Sequence, residues 1–164
     1  MLNNNLGGVN MLLRKATLDD IEILIRLRLD YLTEDRGQLT QAEEIAVKQQ
    51  LKKYFLQHIP NNTFIGIFAE INGTIVSTAY LSITEKPANP AFITGITGTL
   101  LNVLTYPEYR RRGIATKVIT EVIEEARKVG VAHINLSATA DGKYLYEKMG
   151  FTESKYTAMS MQLT

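Results

Sequence analysis

The sequence contains no cysteine, which excludes disulfides and thiolate metal sites and leaves the redox compartment unread. No window approaches about eighteen consecutive apolar residues, so no membrane-spanning helix is expected. The opening MLNNNLGGVN lacks both a basic start and an apolar stretch; it is not a secretory signal, and a cytoplasmic protein is expected. An excess of one charge is also missing. Eighteen Lys and Arg against 17 Asp and Glu leave a net charge of +1, too balanced for a general nucleic-acid binder. His58 and His133 are the only histidines; one ends a helical pattern and the other opens a strand, so both read as structural or solvent-facing. Neither the G-x-x-x-x-G-K-S/T phosphate loop nor the G-x-G-x-x-G dinucleotide fingerprint occurs.

What is present is one domain's worth of chain. The 164 residues are 45% apolar and 21% charged, enough for a core of ordinary density without staples. No linker or repeat divides them. The domain is read as residues 11–164, preceded by a loose polar tail over residues 1–10. The alternative for that tail is a short arm packed on the sheet or on a second subunit.

A short strand is expected over Met11–Ala16. Thr17 with Asp20, and Thr40 with Glu43, form two capping boxes. The first opens a helix with Ile21, Leu24, Ile25, Leu27 and Leu32 on its buried stripe, and the second opens a helix to about His58. Thr63–Ile71 and Thr74–Thr84 read as strands joined at Asn72-Gly73, a hairpin signal because glycine accepts positive φ. Gly98–Tyr106 is the next strand. A long amphipathic helix over Ile114–Val129 turns Ile114, Val118, Ile119, Val122, Ile123 and Ala126 inward, with Gly130 as its stop. A strand over Val131–Ala138, a helix over Asp141–Met149 and a last strand over Phe151–Leu163 complete the pattern. A hairpin followed by two strand–helix–strand crossovers implies an α/β or α+β layer domain, a mixed sheet with helices on both faces.

The chemistry concentrates in Leu104–Thr116, Leu-Thr-Tyr-Pro-Glu-Tyr-Arg-Arg-Arg-Gly-Ile-Ala-Thr. It follows a strand and opens a helix, where unpaired backbone N–H groups hold phosphate well. Arg110, Arg111 and Arg112 stand at the positive end of that helix, whereas Glu121, Glu124 and Glu125 lie well inside it. Each cation so placed costs roughly 0.3–1 kcal/mol, an arrangement that makes sense beside a polyanion. Gly113 and Ala115 allow close approach. Three arginines alone suit a solvated basic turn better; the preceding strand, the small-residue spacing and the following helix favour the phosphate site.

Arg110-x-x-Gly113-x-Ala115 resembles the (Q or R)-x-x-G-x-(G or A) motif of the GNAT acetyltransferases. Leu145-Tyr146-Glu147-Lys148-Met149-Gly150-Phe151 is similar to that family's late LYEKxGF segment, and the element order agrees from Met11 onward. The resemblance implies an acyl-CoA N-acyltransferase fold with a mostly antiparallel mixed sheet of six to seven strands. It implies acetyl-CoA as acyl donor, no metal, and a primary amine of a small molecule or peptide as acceptor.

Residue by residue, the resemblance places the pantetheine arm of coenzyme A on the backbone of Leu104 and Thr105, at a bulged strand. It places the pyrophosphate on the amides of Arg111, Arg112, Gly113, Ile114, Ala115 and Thr116, with the side chains of Arg110 and its neighbours as further phosphate ligands. Thr139 stands where the family often has an asparagine, and Gly142 where it often has an alanine. Tyr146 matches the family's tyrosine near the sulfur. A thiol titrates near about 8.5 and a phenol near about 10, so a neutral tyrosine can protonate a departing thiolate. Tyr106 and Tyr109 flank the cofactor or simply pack. The base stays open among Glu85, Asn102, Asp30, Glu34 and ordered water. Met149, Met159 and Met161 read as core fillers. A homodimer is among the expected assemblies; nucleic acid and membrane are not expected partners. The alternative function is a non-catalytic acyl-CoA sensor.

Overall fold

The computed structural model describes residues 2–6 and 9–164. Both capping boxes form. At Thr40 the hydroxyl accepts from the Glu43 amide at 3.3 Å, while the Glu43 carboxylate accepts from the Thr40 amide at 2.8 Å. Helix α2 (Gln41–His58) follows. At Thr17 the Asp20 carboxylate accepts from the backbone amide at 2.8 Å, one 3-10 turn follows, and α1 runs Ile21–Arg36. Asp20 has a second task. Arg14 grips it through Nη1 and Nη2, both at 2.9 Å, and reaches Glu70 through Nε at 2.7 Å. That bidentate fork ties the helix start to the sheet.

The sheet has six strands in sequence order: β1 (Leu2–Leu6), β2 (Val9–Lys15), β3 (Phe64–Ile71), β4 (Thr74–Glu85), β5 (Ile96–Thr105) and β6 (His133–Asn135). Neighbours are antiparallel except β5 and β6, which are parallel. Asn72 and Gly73, at φ 50° and 77°, form the expected β3–β4 turn, whose left-handed residues match strand twist.

Helices α1 and α2 cover one face. Leu24, Leu27, Phe55, Phe68 and Tyr80 are fully buried there, and the Tyr80 hydroxyl donates to the Leu24 carbonyl at 2.7 Å. Helix α3 (Ile114–Lys128) covers the other, with Val118, Ile119 and Val122 at 0% exposure. Burying each such side chain contributes roughly 1.5–3 kcal/mol. A charge at Val118 would therefore break this layer. Helix α4 (Ala140–Lys148) packs more lightly, through Leu145 and Tyr146, on the core that α3 covers, and buries no residue fully.

Three expectations need correction. Leu2–Leu6 forms an edge strand antiparallel to β2 rather than a loose tail; Met1, Gly7 and Gly8 lie outside the described residues. The strand expected over Val131–Ala138 shrinks to three residues. The last strand over Phe151–Leu163 is not formed; none of those residues is in a strand. Met159 and Met161, read as core fillers, are consequently 93% and 83% exposed; Met149 does pack against the core.

Candidate active site

Two irregularities make the site. The first is a bulge in β5. Tyr80 faces Leu101 and Thr78 faces Leu104, so Asn102 and Val103 oppose Ala79 alone. Asn102 takes φ 54°, a conformation asparagine tolerates better than most residues. Its buried amide accepts from Arg28 Nη1 at 3.3 Å and donates to the Leu27 carbonyl at 3.5 Å, which pins the bulge to α1. The second irregularity is the short β6. It pairs with β5 only at Thr97, Gly98 and Thr99. Beyond Thr99 the two diverge, and among the described residues no strand covers the β6 side of Leu100–Thr105.

The divergence opens a cleft of about 560 Å³. One wall is Leu100–Thr105 with Tyr31, Glu34 and Asp35 of α1. The other wall is Ser137, Thr139, Asp141, Gly142, Leu145 and Tyr146. Arg110, Arg111 and Gly113–Thr116 close one end.

At that end the backbone is unusually open. Arg111 and Gly113 have left-handed φ of 58° and 73°. The first amide to return into α3 is that of Lys117, donating to the Gly113 carbonyl at 3.3 Å. Among the described residues the N–H groups of Arg111 through Thr116 donate to no protein acceptor. A Cβ placed on Gly113 would meet nothing within 4 Å, so the glycine borders open space rather than packed protein. Unpaired amides at a helix start make an anion cradle.

The arginine side chains are committed differently. Arg110 donates through Nε to the Thr105 carbonyl at 2.8 Å and through Nη2 to Glu34 at 2.5 Å. It is a clamp between β5 and α1. Arg112 donates to the Glu108 carbonyl at 2.9 Å and lies 5.6 Å from the centre of the Tyr109 ring. Arg111 has no side-chain bond among the described residues.

Of the two expected arm residues, Leu104 accepts the Ser77 hydroxyl on its carbonyl at 2.9 Å, while the Thr105 carbonyl holds Arg110. Thr139 caps α4, its hydroxyl accepting from the Gly142 amide at 3.2 Å. An ideal Cβ on Gly142 would lie 3.2 Å from that hydroxyl and 3.4 Å from the Tyr146 ring, so glycine suits the tight cap.

Tyr146 enters the cleft from α4. Its ring lies edge-on to Phe151 at 5.8 Å, and its hydroxyl has no hydrogen bond among the described residues. Burial raises its pKa above the ordinary phenol value, with a smaller contribution from Tyr31 on the opposite wall. Sequence reasoning missed Tyr31 and Arg28; both lie on the α1 face that meets the β5 bulge, three residues apart, one turn beyond Leu24 and Leu27.

The candidates for the base separate. Glu34 and Asn102 line the cleft; Glu85 lies at the far end of β4, paired with Ile96. Asp30 accepts the Tyr106 hydroxyl at 2.5 Å. Burial first and that bond second push the Tyr106 phenol up to about 12. Tyr109 lines the cleft and Tyr106 does not. His58 bonds Thr63 at 2.7 Å and stacks on Tyr54, and His133 is exposed at the start of β6; neither lines the cleft.

A cleft that joins an anion cradle to a free, bulged strand edge defines a class of acyl-CoA-dependent transferases. Residues 24–151 match the Acetyltransferase (GNAT) family, and the chain belongs to that family. A predicted acetyltransferase with acetyl-CoA from Clostridium acetobutylicum is 29% identical, with a TM-score of 0.79 over 92% of this chain and 96% of that one. A GCN5-related N-acetyltransferase from Ralstonia eutropha JMP134, 24% identical with a TM-score of 0.78 over 92% of this chain and 98% of that one, shares the fold. Ribosomal protein bS18-alanine N-acetyltransferase from Escherichia coli (strain K12) is 36% identical over 59 residues, which span 34% of this chain and 40% of that protein.

Proposed function

We propose that the chain transfers an acetyl group from acetyl-CoA to a primary amine of a small molecule or peptide. The observation that carries this reading is the run of unpaired amides from Arg111 to Thr116 next to the unpaired edge of β5, with Tyr146 lining the same cleft. The diphosphate sits on those amides. The pantetheine arm runs along the β5 edge toward Leu104 and Thr105, on the side away from the bonds that Ser77 and Arg110 already make. Thr139, its hydroxyl oxygen held by the α4 cap, retains a proton to donate to the arm. Arg111 and Arg112 screen the phosphates, while Arg110 acts mainly by holding Thr105 in place.

The donor supplies the thioester. The neutral amine attacks its carbonyl carbon, the adduct gives up its nitrogen proton to water and collapses, the C–S bond breaks, the thiolate takes the Tyr146 proton, and water returns a proton to Tyr146. A phenol held above its ordinary pKa stays protonated through neutral pH, as a general acid must. A free phenol poised in the cleft favours turnover over a purely sensory role. Mixing acetyl-CoA with a panel of amines and reading thiol release tests the proposal; coenzyme binding without transfer to any amine would overturn it.

Among the described residues no helix is long and apolar enough to cross a membrane, and a cytoplasmic setting suits an enzyme that draws on acetyl-CoA. The chain is also read as a homodimer. Met159, Met161 and Leu163 alternate along an exposed segment, and among the described residues the outer edge of β6 carries no strand. A second copy can satisfy both by strand addition. Light scattering should give twice the chain mass, and removal of residues 152–164 should give a monomer; a monomeric full chain would refute this assembly.

A further inference from the structure

Arg28 differs from the other half-buried cations of this fold. Arg14 and Lys15 hold carboxylates at 2.9 and 3.1 Å. Arg28 holds none among the described residues: its Nη1 donates to Asn102 at 3.3 Å, and its guanidinium carbon lies 5.5 Å from the centre of the Tyr31 ring. The charges that act on it from farther along α1, Arg36 and Asp35, pair with each other at 3.6 Å. Nε and Nη2 make no hydrogen bond among the described residues. Yet no buried side-chain nitrogen or oxygen of the described residues lacks a partner, so these two donors keep some access to solvent rather than being sealed in the core. Nε and Nη2 form the edge of the guanidinium that binds a carboxylate in a fork. Burial also disfavours the charged form of Arg28, so the cation is held there without a counterion.

Arg28 stands just behind the cleft lining; both its neighbours, Tyr31 and Asn102, line the cleft, and Tyr31 acts on Tyr146 across it. We propose that the free fork of Arg28 binds an anionic group on the acceptor, so that the preferred amines are those carrying a carboxylate or a phosphate monoester close to the amino group. This rests on the reading of the cleft as an acetyltransferase site. A bound anion supplies the missing counterion and leaves the amine at the Asn102 bulge, facing Tyr146.

The test compares matched acceptors: α-amino acids against their α-carboxamides, and 2-aminoethyl phosphate against ethanolamine. Charge-assisted bonds to a partly desolvated guanidinium give about a tenfold to hundredfold preference in kcat/KM for the anionic member. Arg28→Met should abolish that preference through KM. Arg28→Lys keeps the cation without the fork, should fall between, and stands in if the methionine variant does not fold. Preference confined to one pair identifies the anion as carboxylate or phosphate. Equal use of neutral and anionic partners by the wild type, or a preference that survives Arg28→Met, would overturn the proposal. Calorimetry of amino acids and carboxamides on the protein loaded with coenzyme A reads the same preference without turnover. Failure of transfer with this binding preference intact therefore counts against the acetyltransferase reading alone, and loss of the preference counts against Arg28.

Discussion

Replacing Tyr146 with phenylalanine separates chemistry from folding unusually cleanly. The hydroxyl makes no hydrogen bond among the described residues, while the ring packs against Phe151 at 5.8 Å, so the variant loses an oxygen but keeps the ring's packing. Surface-type changes of this kind stay within about 0.5 kcal/mol, or roughly 2 °C in Tm for a chain of this size. Acetyl-CoA affinity should be unchanged, because the amide cradle is at the other end of the cleft. The rate should not be spared. Loss of a positioned general acid lowers kcat by about 10²-fold or more, most severely with the poorest leaving thiolate. The sign of the pH effect follows from burial. The Tyr146 pKa is raised, so the proton is present throughout pH 6–9, and the wild-type rate should climb there as the amine loses its own proton. Steady-state rates across that range, with coenzyme affinity measured separately, decide the matter. A Tyr146→Phe enzyme with wild-type kcat at every pH from 6 to 9 would refute the acid role.

Gly113→Val tests the cradle. A β-branched residue at φ 73° is strained by about 1–2 kcal/mol, so thermal melts should drop by several degrees, but coenzyme affinity should fall more than tenfold because the methyls enter the space over the open amides; unchanged affinity would count against that placement. The Arg110–Glu34 clamp is solvent-exposed, so a double-mutant cycle with alanines should give a coupling of about 0.2–1 kcal/mol in stability, with weaker acetyl-CoA binding in either single variant. Tyr106 predicts an alkaline weakness. Its folded-state pKa of about 12 exceeds the ordinary 10.0; its contribution is therefore complete below about pH 10 and is lost as the pH rises through about 12. Denaturant melts should weaken over that window, and Tyr106→Phe should flatten the fall; an equal slope in both proteins would contradict the assignment.

Local signals in the sequence translated directly into structure. The Thr17 and Thr40 boxes, the Asn72-Gly73 turn and the inward stripe of α3 each depend on neighbours within a few residues, and each is where the pattern puts it. Glycine at 113 and the arginine run likewise marked the helix start that frames the cleft. Features decided by distant pairing were not legible. Asn3–Asn5 carries no strand propensity, yet the edge of β2 recruits it. The alternation from Met159 to Leu163 is a sound strand signal, but a local pattern does not supply a partner edge, and no strand forms there. The uses of Arg110 and Arg28 were hidden for the same reason: Glu34 and Thr105 claim one and Asn102 half-claims the other across 74 residues of sequence.

The central claim is that coenzyme A is held on the amides from Arg111 to Thr116. Titrating acetyl-CoA into the protein in a calorimeter tests it most directly. Binding in the range of ordinary enzyme substrates, on the order of 10 µM, with one site per chain, is predicted. At millimolar ligand that affinity adds about 2.7 kcal/mol to stability, a rise of roughly 5–10 °C in Tm. No heat and no rise in Tm at millimolar acetyl-CoA would contradict the account.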